Sequence, residues 1–185
     1  CELMEEMGGP DVRISPDSFT YSSAISCCVA AKAWIPAMEL LEDMEKRGIQ
    51  PTVVTYNSVI EALDSADEKI RAELCYLSGQ RAGLYNHWLP GERGSHMDLH
   101  EFPVSVARAA IMHVISEFVA GTLEMDGQEN LVIITGRGKH SYMHTGGQKG
   151  VGILRREMVA FLKSIGLATQ NQPNPGRIVI NSTTL

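Results

Sequence analysis

Apolar positions in the first ninety residues recur at helical spacing. Tyr21, Ala24, Ile25 and Cys28 lie at i, i+3, i+4 and i+7, and Ala37, Leu40, Leu41 and Met44 repeat that spacing. Each set predicts an amphipathic helix with one buried stripe. Pro36 suits the first turn of the second helix, Gly48 its C-terminal cap, and Pro51 stops it from continuing. Beyond residue 95 the pattern changes. Residues 96–100 alternate at period 2, which predicts a short strand with His96, Asp98 and His100 on one face and Met97 and Leu99 on the other. Pro103 opens a helix whose stripe is Val104, Ala107, Ala110, Ile111, Val114 and Phe118, with Gly121 as its stop. Residues 131–134 are a continuous apolar run, as expected of a strand covered on both sides. A second helix turns Val151, Leu154, Met158, Phe161, Leu162 and Ile165 inward and ends at Gly166. Residues 177–180 predict a last strand, with a weaker one near 167–170. The expected fold is an α solenoid of helical hairpins followed by an α/β two-layer sandwich in the order βαβαββ.

The helical half repeats itself. Ile14-Ser15-Pro16-Asp17 returns as Ile49-Gln50-Pro51-Thr52, and Thr20-Tyr21-Ser22-Ser23-Ala24-Ile25 returns as Thr55-Tyr56-Asn57-Ser58-Val59-Ile60, both 35 residues on. A two-helix unit of that length implies stacked α-hairpins. Pro90, Gly91 and Gly94 mark a linker, so the expected domains are 1–88 and 95–185. Charge divides at the same place: residues 1–90 carry 14 acids and 7 bases, residues 91–185 carry 8 acids and 9 bases. A net charge of −6 excludes a basic, histone-like nucleic-acid binder, and 44% hydrophobic residues exclude wholesale disorder. No apolar run reaches the ~18 residues that a transmembrane helix needs. The cysteines, Cys1, Cys27, Cys28 and Cys75, lack metal-ligand spacing. Adjacent Cys27 and Cys28 read as small buried residues or partner-helix contacts, in keeping with a reducing compartment. Because the chain opens on Cys1 within a helical pattern, it is expected to be a piece of a longer one.

The repeated unit, Ser18-Phe19-Thr20-Tyr21 through Met44-Glu45-Lys46-Arg47-Gly48-Ile49-Gln50-Pro51-Thr52, resembles the pentatricopeptide repeat family. Residues 1–17 resemble the tail of a preceding unit, and 53–88 a final, degenerate one. The resemblance implies binding of single-stranded RNA, with about one base read per repeat. Its specificity positions fall on Ser22 with Thr52 in the full unit and on Asn57 in the degenerate one. A short hydroxyl there leans toward a purine and Asn toward a pyrimidine; Thr52 stands where the family carries Asp or Asn.

In the second half, a β-α-β crossover sets its two strands parallel, so both carboxyl ends face one sheet edge. His100 leaves the first strand there and Gly136-Arg137-Gly138 leave the second, and open α/β sheets hold ligands at such edges. Glycines let backbone N–H groups approach a phosphate. Between Asn130 and Arg156 there is no acid, but Arg137, Lys139, His140, Lys149, Arg155 and Arg156 all occur. This cation cluster points to a sugar-phosphate backbone.

Asp98-Leu99-His100, Thr135-Gly136-Arg137-Gly138-Lys139-His140-Ser141, Leu154-Arg155-Arg156 and Asn174-Pro175-Gly176-Arg177, in that order, resemble the small MutS-related (SMR) domain family. Together with the repeats they resemble the plastid and mitochondrial proteins that join the two modules. The resemblance implies an organellar RNA-binding protein, with endonuclease activity in some members. Asp98 and His100 are the catalytic candidates: His100 as general acid or base, with Asp98 orienting it or holding a divalent metal such as Mg or Mn. Gly136, Arg137, Gly138, Lys139, His140, Lys149, Arg155 and Arg156 are the candidates for nucleic-acid contact. Glu101 stands where the family usually has Gly and puts a carboxylate beside the proposed anion. The acidic repeats also suit a non-catalytic scaffold or structural subunit of a large organellar complex, such as a ribosome or membrane assembly. A DNA nickase is the third alternative.

Overall fold

The 35-residue period appears in three dimensions as two hairpins of equal helices. The computed structural model describes residues 15–123, 130–136, 152–170 and 173–181. The chain divides into two units, Cys1–Tyr85 and Asn86–Leu185. In the first, α1 (Ser18–Ala30), α2 (Trp34–Lys46), α3 (Val53–Ser65) and α4 (Lys69–Arg81) are each 13 residues long. The expected stripe of α2 is fully seated, with Ala37, Leu40, Leu41 and Met44 all buried.

Two tyrosines one period apart tie the hairpins together. Buried Tyr21 on α1 donates its hydroxyl to Asp43 on α2, and buried Tyr56 on α3 donates to Glu45 Oε1 on α2 at 3.1 Å. Burial pushes both phenols up to about 12, and the neighbouring carboxylates add to the shift. Both therefore stay protonated and can donate. The chain leaves the helices through left-handed residues: Gly48 after α2 at φ +72°, Lys32 after α1 at φ 53° and Asp67 after α3 at φ 60°. Each exit is closed by a six-residue bond, Ile49 N to Met44 O at 3.0 Å, Ala33 N to Cys28 O at 2.9 Å and Glu68 N to Leu63 O at 2.9 Å.

Some expectations need correction. The buried residues of α1 are Tyr21 and Ile25, a narrower stripe than the spacing suggested, so Cys28 is only half-buried and Cys27 is exposed. The second helix of the last repeat spans Lys69–Arg81. The expected tail of a preceding repeat falls mostly on residues 1–14, outside the described ones.

The second unit runs β1 (His96–Asp98), α5 (Val104–Val119), β2 (Asn130–Ile134), α6 (Ile153–Ser164), β3 (Thr169–Gln170) and β4 (Arg177–Asn181). Its strands lie in the order β1-β2-β4-β3. β1 pairs parallel to β2, with Asp98 opposite Ile134, as a crossover through α5 requires. β4 pairs antiparallel to both β2 and β3. Met97, Leu99, Leu131, Ile133, Ile178 and Ile180 are buried with Val106, Ala110, Ile111, Val114, Met158 and Leu162 from the helices. The alternation at 96–100 holds: Met97 and Leu99 are inside, His96 and Asp98 are half-buried, and His100 is exposed. β2 is not covered on both sides, since Val132 and Ile134 are only half-buried; the period of 2 sends alternate side chains to the less covered face.

The 89–94 stretch is folded into this unit and does not act as a free linker. Residues 87–89 run along the outer edge of β1: the His87 carbonyl accepts from Asp98 N at 2.7 Å, and Leu89 N donates to His96 O at 3.2 Å. An edge strand gains a backbone partner in this way. No helix among the described residues is long and apolar enough to cross a membrane.

Candidate nucleic-acid interface

The first helices of the two hairpins, α1 and α3, are joined by hydroxyl groups. Ser22 Oγ lies 3.0 Å from Thr55 Oγ1, and Ser26 Oγ 3.4 Å from Ser58 Oγ. Thr55 is fully buried and also takes part in the N-terminal cap of α3. It donates its backbone N–H to Thr52 Oγ1 at 3.3 Å, while Thr52 N donates to Thr55 Oγ1 at 3.2 Å. The two positions expected to read a base, Ser22 and Thr52, are thus linked through Thr55. The Thr52 hydroxyl is committed to the cap, a role that a Thr at the start of a helix takes readily.

Ser22 and Thr52 line an open groove of about 780 Å³, together with Ser18, Ser23 and Ser26. Two further lining residues escaped the sequence reading, Phe19 and Val54. Phe19 is 79% exposed and Val54 57% exposed, so two apolar side chains of the groove stand in solvent. They are 35 residues apart, the second residue of α1 and the second of α3. The signal was an aromatic residue off the buried stripe whose repeat equivalent is also apolar. Asn57, the fifth residue of α3 as Ser22 is of α1, accepts a hydrogen bond at Oδ1 from the Tyr85 hydroxyl at 2.7 Å.

In the second unit the carboxyl ends of β1 and β2 meet as the crossover demands. Leu99 N donates to Ile134 O at 2.9 Å, and the chain then turns out through His100. Gly136, at φ +72°, sits so close that a Cβ there would lie 3.2 Å from the Cβ of His100. The start of β4 closes the edge. Thr135 N donates to Gly176 O at 2.9 Å, and Gly176 N donates to Asn174 Oδ1 at 2.9 Å, an Asx turn within Asn174-Pro175-Gly176-Arg177. Arg155 donates to the Arg177 carbonyl. The structure therefore brings Asp98, His100, Gly136 and Arg155 to one edge.

Asp98 holds His100 twice, accepting from its backbone N at 3.2 Å and lying 2.6 Å from Nδ1. Glu101 Oε1 lies 3.4 Å from Nε2. The bond to Asp98 raises the His100 pKa above the ordinary imidazole value; partial burial opposes it, and the charges of Asp98 and Glu101 add to it. Arg156 faces Glu157 at 3.5 Å, and Glu157 also meets Arg108 at 3.2 Å, so Arg156 sits beside an acid. Arg137, Gly138, Lys139, His140 and Lys149 lie outside the described residues. Among the described residues no group of three or more His, Cys, Asp or Glu could hold a metal ion.

The PPR repeat family matches residues 16–63, from the turn before α1 to near the end of α3. The matched residues lie within the first unit. Two chloroplastic pentatricopeptide repeat-containing proteins of Arabidopsis thaliana are similar to part of this chain. One is 34% identical over 53 residues, 29% of this chain and 5% of its own length; the other is 36% identical over 58 residues, 31% of this chain and 11% of its own length. The chain spans only a small part of the length of either relative. The groove lies between the first helices of the two hairpins, within the matched residues.

Proposed function

We propose that the chain is part of an organellar, single-stranded RNA-binding protein whose pentatricopeptide groove holds a base between Phe19 and Val54. The observation that carries this reading is the placement of Ser22 and Thr52 in one groove flanked by those two exposed apolar residues. Bases stack on aromatic faces at about 1–3 kcal/mol each, and hydroxyls bond their edges. The chloroplastic names of the similar proteins support a plastid address. The acidic repeats supply few cations for phosphate contact, so longer RNA needs basic residues elsewhere, and the acid-free stretch from Asn130 to Arg156 supplies them.

The second unit is read as a small MutS-related domain, an α/β two-layer sandwich beginning near residue 95, that contacts or cuts the RNA. His100 acts as the general acid. Its raised pKa keeps it protonated at higher pH, and its imidazolium gives a proton to the leaving oxygen while Asp98 fixes the ring. Titration of labelled single-stranded RNA tests binding: Phe19→Ala with Val54→Ala weakens it at least tenfold, and unchanged affinity refutes the groove. Asp98→Asn and His100→Ala test cutting, and undiminished cutting removes those roles.

The acidity of residues 1–90 favours a second reading, a fixed scaffold subunit of a larger organellar assembly. Salt separates the two. Affinity for RNA that falls steeply from low to moderate salt supports phosphate contact, whereas no binding and stoichiometric co-purification with a particle support the scaffold.

A further inference from the structure

Most arginines of the second unit have an acid beside them. Arg93 meets Glu117 at 3.5 Å, Arg108 meets Glu157 at 3.2 Å, and Arg156 meets Glu157 at 3.5 Å. Arg155 and Arg177 form no ion pair among the described residues, yet they lie together. Arg155, in the first turn of α6, donates to the Arg177 carbonyl at the start of β4. Arg177 N donates to Asn174 O at 3.2 Å, so the Arg177 backbone is anchored on both sides and only its side chain is left to act. The sheet register sets Arg177 opposite Ile134 and Ile134 opposite Asp98. Directly paired residues point to one face. Arg177 therefore shares the Asp98 side of the sheet, where it is exposed, while Ile178 and Ile180 turn into the core. The acids of this edge have other partners: Asp98 lies 2.6 Å from His100 Nδ1, and Glu101 3.4 Å from Nε2. Two neighbouring guanidiniums without a carboxylate between them call for an outside anion.

We propose that Arg155 and Arg177 together hold a phosphate group of the RNA backbone, with Arg177 the contact that the sequence motifs left without a role. A guanidinium presents a planar fork of donors that matches two phosphoryl oxygens. Arg155 spends one donor on the Arg177 carbonyl, which fixes its guanidinium beside β4 and leaves its other donors for the anion. A contact of this kind fixes where the strand lies and carries no sequence information.

The assignment rests on the reading that the second unit contacts RNA, and the test separates the two. Affinities of the whole chain for oligo(U) and oligo(A) of equal length are measured over a range of salt for wild type, Arg177→Ala and Arg177→Lys. Arg177→Ala weakens both oligonucleotides alike, by about fivefold at ~0.1 M salt, and makes the slope of log affinity against log salt shallower by about 0.7, the value for one phosphate contact on a single strand. Arg177→Lys keeps the slope because it keeps the charge. A merely structural role would not move the slope. If Arg177→Ala binds RNA with the wild-type slope, or weakens one oligonucleotide alone, the phosphate contact is overturned and RNA binding stands. If wild type binds neither oligonucleotide, the RNA reading fails, and titration with inorganic phosphate decides the site. Saturable shifts of the arginine side-chain NMR signals, absent in Arg177→Ala, then assign it to free phosphate, and unshifted signals overturn it.

Discussion

Replacing Gly79 by alanine separates local propensity from packing, because the two give opposite signs. In a helix interior Ala is more favourable than Gly by about 1 kcal/mol. On α4 the added methyl would sit 2.5 Å from Cε2 and 2.9 Å from Cδ2 of Tyr85, and 3.4 Å from Cγ of Tyr56. Neither ring is a loose end: Tyr85 is stacked on Tyr76 and bonded to Asn57, and Tyr56 is tied to Glu45. Overpacking costs about 1–3 kcal/mol, and displacing Tyr85 loses about 1 kcal/mol more in its hydrogen bond. The expected net result is a loss of roughly 1–3 kcal/mol from the last hairpin. Amide exchange in peptides from α3 and α4 then speeds up roughly five- to 150-fold. Ser78→Ala, on the exposed neighbour, leaves exchange unchanged or slower. Slower exchange in Gly79→Ala would refute the slot and, with it, the seating of Tyr85.

The other predictions concern backbone and charge. Lys32→Gly relieves a left-handed residue with a side chain and raises the stability of the repeat unit by about 1 kcal/mol, seen as a higher urea midpoint; a lower midpoint contradicts the assigned backbone. The His100 imidazole titrates above its ordinary value in an NMR pH series, and Asp98→Asn brings the midpoint down. Because the folded pKa is raised, its contribution to stability is present at low pH and is lost as pH rises through the folded value. An unmoved midpoint in Asp98→Asn denies the carboxylate its role. His87 behaves in the opposite way. Burial, aided by the charges of His113 and Arg93, pushes it down to about 3 from 6.5, so it stays neutral in the folded unit. Its contribution is complete above 6.5 and declines as pH falls toward about 3, where the unfolded chain takes up a proton that the folded one refuses. Acid unfolding of the second unit that is no shallower in His87→Gln would contradict this.

What the sequence revealed was periodic, and what it hid was a matter of which face meets water. The 35-residue offset carried Tyr21 to Tyr56 and Ser22 to Asn57, so the hairpins were legible before any coordinate. The alternation at 96–100 placed Asp98 and His100 together, and the rule for crossovers brought Gly136 beside them. Phe19 and Val54 were missed because an apolar residue off the stripe reads the same whether a neighbour covers it or solvent does. Thr52 was read as a base contact, although its hydroxyl also serves the helix start, a local competition that a repeat alignment does not see. The Tyr85–Asn57 bond was beyond reach, since it needs two residues 28 apart and a glycine slot on a third element. Cys27 was expected to be buried or to meet a partner helix; it is exposed, because Tyr21 and Ile25 alone supply the buried stripe of α1.

The claim on which the rest depends is that a base of single-stranded RNA enters the groove between α1 and α3. Photocrosslinking of the whole chain to RNA carrying 4-thiouridine, with the attached peptides identified by mass spectrometry, tests it directly. The account predicts adducts on the α1 segment around Phe19, lost in Phe19→Ala with Val54→Ala. Adducts confined to the second unit, or none on the repeats at all, would contradict it.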